Sequence, residues 1–190
     1  MNKDIETYPL LTANRIQLRK PVAHDIPMIV AYANNPKIAE MTLNIPNPYR
    51  ERDAIFWINM AYKGFEEKTK YIFIIERLSD NQFIGCIGLD VNKRFNRAEL
   101  GYWIAEPHWN QGYASEATKE MLRFGFEEVD LNKIFGSHYY NNPASGKVMV
   151  HNGMIKEAEL KEHIKKDGRY LSVIQYRLTK KEYNKKKDFQ

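Results

Sequence analysis

The chain has 190 residues, 43% of them hydrophobic and 13% aromatic, with a formal net charge of +5. That profile belongs to a folded globular chain rather than a disordered one, and the length suits a single domain spanning 1–190. One cysteine, Cys86, excludes an internal disulfide and a cysteine metal cluster, and no apolar run approaches the roughly 20 residues of a membrane-spanning helix.

Residues 15–19 (Arg-Ile-Gln-Leu-Arg) alternate polar and apolar and predict a first strand, ended by Pro21. Residues 23–34 carry Ile26, Ile29, Val30 and Ala33 at helical spacing, with Asp25 as cap and Pro27 in the first turn. Asn35-Pro36 breaks that pattern. Residues 41–48 hold Met41, Leu43 and Ile45 between prolines and read as an irregular loop, either tucked into the core or lining a substrate pocket. Helical spacing returns over 50–67 through Ala54, Ile55, Ile58 and Ala61.

Residues 71–76 are dense in β-branched and aromatic side chains and predict a buried strand. Asp80-Asn81 turns it back into a strand over 83–89, where Gly85 and Gly88 indicate a bulge or a close neighbour. A turn at 92–96 leads to a strand over 98–105. Then come Trp109-Asn110-Gln111-Gly112-Tyr113-Ala114-Ser115-Glu116-Ala117, opening a helix expected over 114–129. Small residues entering a helix expose main-chain N–H groups that lack an intrahelical partner. With the helix dipole they form an anion site that needs no basic side chain. By itself this is also the composition of an ordinary strand-to-helix connection. A strand over 133–140, a short helix over 143–151 stopped at Gly153, and a hairpin of 154–164 and 169–178 around Lys166-Asp167-Gly168 follow. The lysine-rich end, 180–190, reads as a basic, frayed tail, and binding to nucleic acid through it is not expected.

The ordered series Glu99-Leu100-Gly101-Tyr102-Trp103-Ile104, Pro107-His108-Trp109-Asn110-Gln111-Gly112-Tyr113-Ala114-Ser115, Asn142-Pro143-Ala144-Ser145 and Asn152-Gly153-Met154 resembles the GNAT superfamily of acyl-CoA N-acyltransferases, in its RimJ/RimL-like branch, over about 14–178. The resemblance implies an α+β fold: a mixed, mostly antiparallel seven-stranded sheet, splayed between its fourth and fifth strands and flanked by about four helices. It also implies acetyl-CoA as co-substrate, with no metal. The turn Trp109, Asn110, Gln111, Gly112, Tyr113, Ala114 and Ser115 would hold the diphosphate. Tyr102, Trp103 and Ile104 would bond the pantetheine through their main chain, with Asn142 as a further partner. Gln111 stands where many relatives carry a basic residue, so Lys119 or Lys147 is expected to balance the charge. His151 and Met154 stand where relatives often show lysine and phenylalanine.

For chemistry, Ser145 would bond the CoA sulfur by the same resemblance, its other reading being a hydroxyl that caps the helix start. Strand alternation places Glu99, Gly101 and Trp103 on one face and Leu100, Tyr102 and Ile104 on the other. Glu99 is then either a general base acting through water or an exposed strand carboxylate paired with Arg97 or another cation. A main-chain N–H near Ile104 would hold the oxyanion. The five histidines show no metal spacing, and His138 reads as a core or pocket-wall residue.

The implied reaction is direct attack of a primary amine on acetyl-CoA in a ternary complex, foremost by a protein or peptide N-terminus. The alternatives are a polyamine or aminoglycoside acceptor, or a CoA-binding sensor without turnover. Absence of an apolar leader sets the expectation of a cytoplasmic protein. The sequence leaves monomer and homo-oligomer both open.

Overall fold

A computed structural model of the protein describes residues 5–187. Among the described residues, eight strands form one sheet in the order β1-β2-β3-β4-β5-β6-β8-β7. They are β1 (Leu11–Thr12), β2 (Ile16–Arg19), β3 (Lys70–Arg77), β4 (Phe83–Asn92), β5 (Arg97–Ile104), β6 (Lys133–Tyr139), β7 (Ile155–Lys166) and β8 (Arg169–Thr179). Every neighbouring pair is antiparallel except β5–β6. The helices are α1 (Ile26–Ala33), α2 (Pro36–Met41), α3 (Glu51–Glu66), α4 (Tyr113–Glu127), α5 (Pro143–His151) and α6 (Lys180–Lys187).

Five expectations change. The sheet has eight strands because Leu11–Thr12 pairs with Leu18 and Gln17, a bridge too short to show alternation. Six helices replace about four. Asn35, read as a break, is the cap of α2: its side chain accepts the Lys37 N–H at 2.9 Å, with Pro36 in the first turn. Of the lysine-rich end, 188–190 lie outside the described residues, and Lys180–Lys187 form α6. There Glu182 accepts from the Thr179 N–H at 2.9 Å, and Tyr183 stacks on Phe126 with ring centroids 4.9 Å apart. Asp25 does not cap α1. Its carboxylate takes the Arg19 guanidinium through two bonds of 2.9 and 2.7 Å and the Val22 N–H at 2.8 Å.

The core lies on both faces of the sheet. Ala98, Leu100 and Ile104 of β5 pack with Met121, Leu122 and Phe124 of α4. Trp103 packs on the other face with Ile29 of α1, Ile58 of α3 and Cys86. The alternation read from β5 therefore separates two clusters. Burial of each large apolar side chain contributes about 1.5–3 kcal/mol to holding the strand between them.

β5 and β6 pair only at Arg97↔Lys133, Ala98↔Ile134 and Glu99↔Phe135. Beyond Phe135, β6 stays with β8 as far as Tyr139↔Val173, while β5 stays with β4 as far as Gly85↔Ile104. The sheet opens there as a wedge. On the β4 side the wall is tight: a Cβ on Gly85 would stand 2.2 Å from the Trp103 carbonyl oxygen. The ladder shifts register opposite this point, between Ile75 and Glu76, which accounts for the glycine. Gly85→Ala is expected to cost about 2 kcal/mol or more, lowering the thermal midpoint by about 4 °C or more in a scanning-calorimetry comparison with the unchanged protein.

Candidate active site

β5 leaves the sheet through a single tight turn, Glu106–His108, and reaches α4 across residues 109–112. Asn110 (φ 59°) and Gly112 (φ 83°) both take the left-handed conformation, which at the second position favours glycine. Gly112 is the N-cap, and no side-chain hydrogen bond caps the helix there. The first helical bond runs from the Glu116 N–H to the Gly112 carbonyl at 3.1 Å. The N–H groups of Tyr113, Ala114 and Ser115 precede it and have no intrahelical acceptor. Trp109 pins the turn to the strand end, its indole N–H donating to the Ile104 carbonyl at 2.7 Å. Ser115 accepts from the Asn152 amide at 3.0 Å, tying α4 to α5. Gln111 folds back onto the Pro107 carbonyl at 2.9 Å.

The cation at this turn is Arg15, which sequence reasoning missed. Its Nε meets the Glu116 carboxylate at 2.9 Å, its Nη1 meets the Gln111 carbonyl at 3.1 Å, and its guanidinium lies 4.8 Å from the Tyr113 ring centroid. Glu116 alone would set a negative charge in the first turn of α4, and Arg15 offsets it. Nothing in the spacing links positions 15 and 116; only the packing of α4 beside β2 does. Lys119 is exposed in the second turn of α4. Lys147 lies with Pro143, Val150 and His151 on the flank of α5 that faces Tyr176, lining a groove of about 470 Å³. Ser145, Met149 and Asn152 occupy the opposite flank by helical spacing. Lys147 is therefore not brought to the turn.

Inside the wedge, hydrogen-bond parity decides which groups are open. The Ala105 N–H donates to Ile84 at 2.9 Å, so Ala105, Trp103 and Gly101 bond to β4. Leu100, Tyr102 and Ile104 turn their N–H and C=O the other way. The Leu100 carbonyl does aim at β6, lying 3.2 Å from where a Gly136 Cβ would be. Past the end of pairing, the Tyr102 N–H and C=O and the Ile104 N–H face the opening without a strand partner. Of the three residues read as main-chain contacts, Tyr102 and Ile104 keep that capacity, whereas Trp103 uses its own on β4.

The Tyr102 side chain crosses the wedge to α5, its hydroxyl 2.9 Å from Ser145 Oγ and 3.3 Å from the Ser145 carbonyl. Burial pushes the Tyr102 phenol up to about 12. Ser145 does not cap the helix start: its hydroxyl turns to Tyr102 instead. Asn142 is the N-cap of α5 and makes no side-chain cap bond. His138 is 6% exposed, with Nδ1 donating to the Tyr139 carbonyl at 2.8 Å and its ring stacked on Tyr176, and it forms the wall of the groove beyond α5.

Glu99 lies at the closed end of the wedge, on the face opposite Tyr102, and is opposed across the ladders by Asp90 and Phe135. It shares a recess of about 460 Å³ with Lys93, Arg97 and Phe135. No ion pair or hydrogen bond joins its carboxylate to another described residue. Reduced hydration, then the Asp90 charge, raise its pKa above the ordinary value, against the opposing charges of His163 and Lys70. At about 3.3 Å per residue, Glu99 lies roughly 10 Å along the strand from Tyr102, so it can reach chemistry there only through water. The structure thus brings Tyr102, Ile104 and Ser145 to one opening beside the 109–115 turn, and sets Glu99 apart on the other face. No group of three or more histidine, cysteine, aspartate or glutamate side chains that could hold a metal ion occurs among the described residues. None of the described helices is long and apolar enough to cross a membrane.

An uncapped helix mouth of main-chain donors and an adjoining open strand edge fit a ligand carrying a diphosphate and an extended amide chain. Comparison with known proteins gives the family. The chain is 30% identical over 178 residues to the uncharacterized N-acetyltransferase p20 of Bacillus licheniformis, covering 91% of this chain and 97% of that one. A solved structure titled RimL, ribosomal L7/L12 alpha-N-protein acetyltransferase in complex with coenzyme A, superposes with a TM-score of 0.83 at 15% identity, over 90% of this chain and 98% of that one. Spermidine N-acetyltransferase from Vibrio cholerae, solved with CoA and spermine, gives 0.76 at 23% identity, over 90% and 98%. Residues 15–155 match the family model for the acetyltransferase (GNAT) domain. With the match covering most of the chain, and the wedge and turn in place, the protein belongs to the GNAT family of N-acetyltransferases.

Proposed function

We propose that the protein transfers the acetyl group of acetyl-CoA to the N-terminal α-amine of a protein or peptide, by direct attack in a ternary complex. The observation that carries this reading is the continuous set of unpartnered main-chain groups: N–H of Tyr113, Ala114 and Ser115 at the α4 mouth, and Tyr102 and Ile104 in the wedge. Residues 109–115 hold the diphosphate, while Tyr102 and Asn142 hold the pantetheine and Ile104 meets the acetyl carbonyl at its end.

Acetyl-CoA supplies an activated acetyl thioester. The Ile104 N–H faces the developing oxyanion. Ser145 Oγ–H donates to the leaving sulfur. Glu99 receives the ammonium proton through water from the face opposite Ser145, so base and acid act on opposite sides of β5. The net change forms an N–C bond, breaks the C–S bond and moves one proton from amine to thiol.

An α-amine, with a pKa of about 8, is partly neutral at pH 7, whereas a lysine amine near 10.4 is far less so. The net charge of +5 disfavours polycationic acceptors. An N-terminal acceptor is supported by the RimL neighbour, an alpha-N-protein acetyltransferase, and a protein acceptor by the Escherichia coli ribosomal-protein-serine acetyltransferase, 31% identical over 84 residues. The spermine-bound neighbour favours a second reading, a polyamine acceptor. A free-thiol assay with acetyl-CoA across N-terminal peptides, polyamines and aminoglycosides separates the two. Peptides are expected to turn over at least about tenfold faster in kcat/KM; turnover confined to polyamines contradicts the α-amine assignment.

Glu99→Gln is expected to lower kcat/KM by about 10²-fold. In the unchanged enzyme kcat/KM falls as pH drops through the raised Glu99 pKa, and in Glu99→Gln that limb disappears. The stability effect has the opposite sign. A carboxyl whose folded pKa is raised favours the folded state less at neutral pH than below both pKa values. Glu99→Gln therefore raises the thermal midpoint at pH 7, and the gain vanishes toward pH 4, as thermal melts across that range check.

A further inference from the structure

We infer that the Tyr102 phenol is a positioning residue that holds the Ser145 hydroxyl with its proton directed into the wedge. This rests on the acyl-transfer reading above. The geometry is specific. The phenol meets two oxygens of one residue, Ser145 Oγ at 2.9 Å and the Ser145 carbonyl at 3.3 Å. It has a single proton and must choose between them.

When the phenol donates to the carbonyl, Ser145 donates back to the phenol oxygen and its proton points away from the opening. When the phenol donates to Oγ, the serine proton is released toward the wedge. Negative charge growing on a sulfur there selects the second arrangement. A hydrogen bond received at Oγ also strengthens Ser145 as a donor. Because burial keeps the phenol protonated throughout the neutral range, it remains a donor at every working pH. Ser145 has no competing duty at the helix start, where Asn142 holds the cap position.

The test is a double-mutant cycle of Tyr102→Phe and Ser145→Ala, with two readouts. One is kcat at saturating acetyl-CoA. The other is the ultraviolet titration of the CoA thiol bound to each protein, with free CoA titrated alongside as the reference. Tyr102→Phe keeps the ring and its packing. Each single variant is expected to lower kcat about tenfold with KM for acetyl-CoA within about twofold, and the double variant to be no slower than Ser145→Ala alone. The bound thiol should titrate below its free value in the unchanged protein and return toward it in both single variants. Multiplicative losses in the double variant overturn the inference. So does a Tyr102→Phe protein whose thiol titrates as in the unchanged one while Ser145→Ala shifts it. A Ser145→Ala protein unchanged in both readouts removes Ser145 from the chemistry, and the Tyr102 role with it.

Discussion

The molecule is governed by main-chain hydrogen-bonding groups that it declines to pair. A sheet lowers its energy by saturating N–H and C=O, and nearly all buried groups of this kind find partners. Here β5 and β6 pair at three positions and then part, and α4 starts at a glycine with no side-chain cap. Both deficits lie at the same end of β5, with only the eight residues 105–112 between strand and helix. Leaving such groups open costs stability, and two packed clusters on either face of β5 hold the arrangement in place. The open groups form a track: strand edge at Tyr102 and Ile104, then helix mouth at 113–115. An extended amide chain ending in a diphosphate follows such a track in chemistry and in order.

Charge around the track is arranged to leave the amides usable. Glu116 falls in the first turn of α4, where a carboxylate complements the helix dipole but opposes an incoming anion. Arg15 neutralises it from the bend just before β2 and stiffens the turn by donating to the Gln111 carbonyl. A basic side chain just before the glycine is therefore not needed. On the other face, partial loss of hydration and then the charge of Asp90 across the ladder act together on Glu99, which still keeps an exposed surface. The two sides of one strand thus carry opposite tendencies, a hydroxyl donor at Ser145 and a carboxyl biased toward taking a proton.

Most of the architecture was legible because period and punctuation agreed. Alternation in 98–105 separated Leu100, Tyr102 and Ile104 from Glu99, Gly101 and Trp103, and the two clusters divide along that line. Gly85 reads from sequence as a bulge or a close-approach position, and it stands against the Trp103 carbonyl beside a register shift in the β3–β4 ladder. What sequence could not supply was partner identity. Asn35-Pro36 is equally a stop and a start, and only the Lys37 N–H on Asn35 makes it a cap. The lysine-rich end lacks an apolar face of its own, so α6 depends on Tyr183 finding Phe126 and on Glu182 finding Thr179. Arg15 and Glu116 are a hundred positions apart and meet through topology. The parity that takes Trp103 out of the wedge follows from the register with β4, which no single-strand pattern contains.

The central claim is that main-chain amides at the α4 mouth and the β5 edge, and not basic side chains, grip the cofactor. The most direct measurement is a titration of the ¹⁵N-labelled protein with coenzyme A, followed through its backbone amide resonances. The account predicts large downfield proton shifts, as new hydrogen bonds form, at Tyr113, Ala114, Ser115 and Ile104, with far smaller changes at Trp103, whose N–H is already bonded to β4. Shifts clustered instead around Lys147 and His151, with the 113–115 amides unmoved, would contradict it.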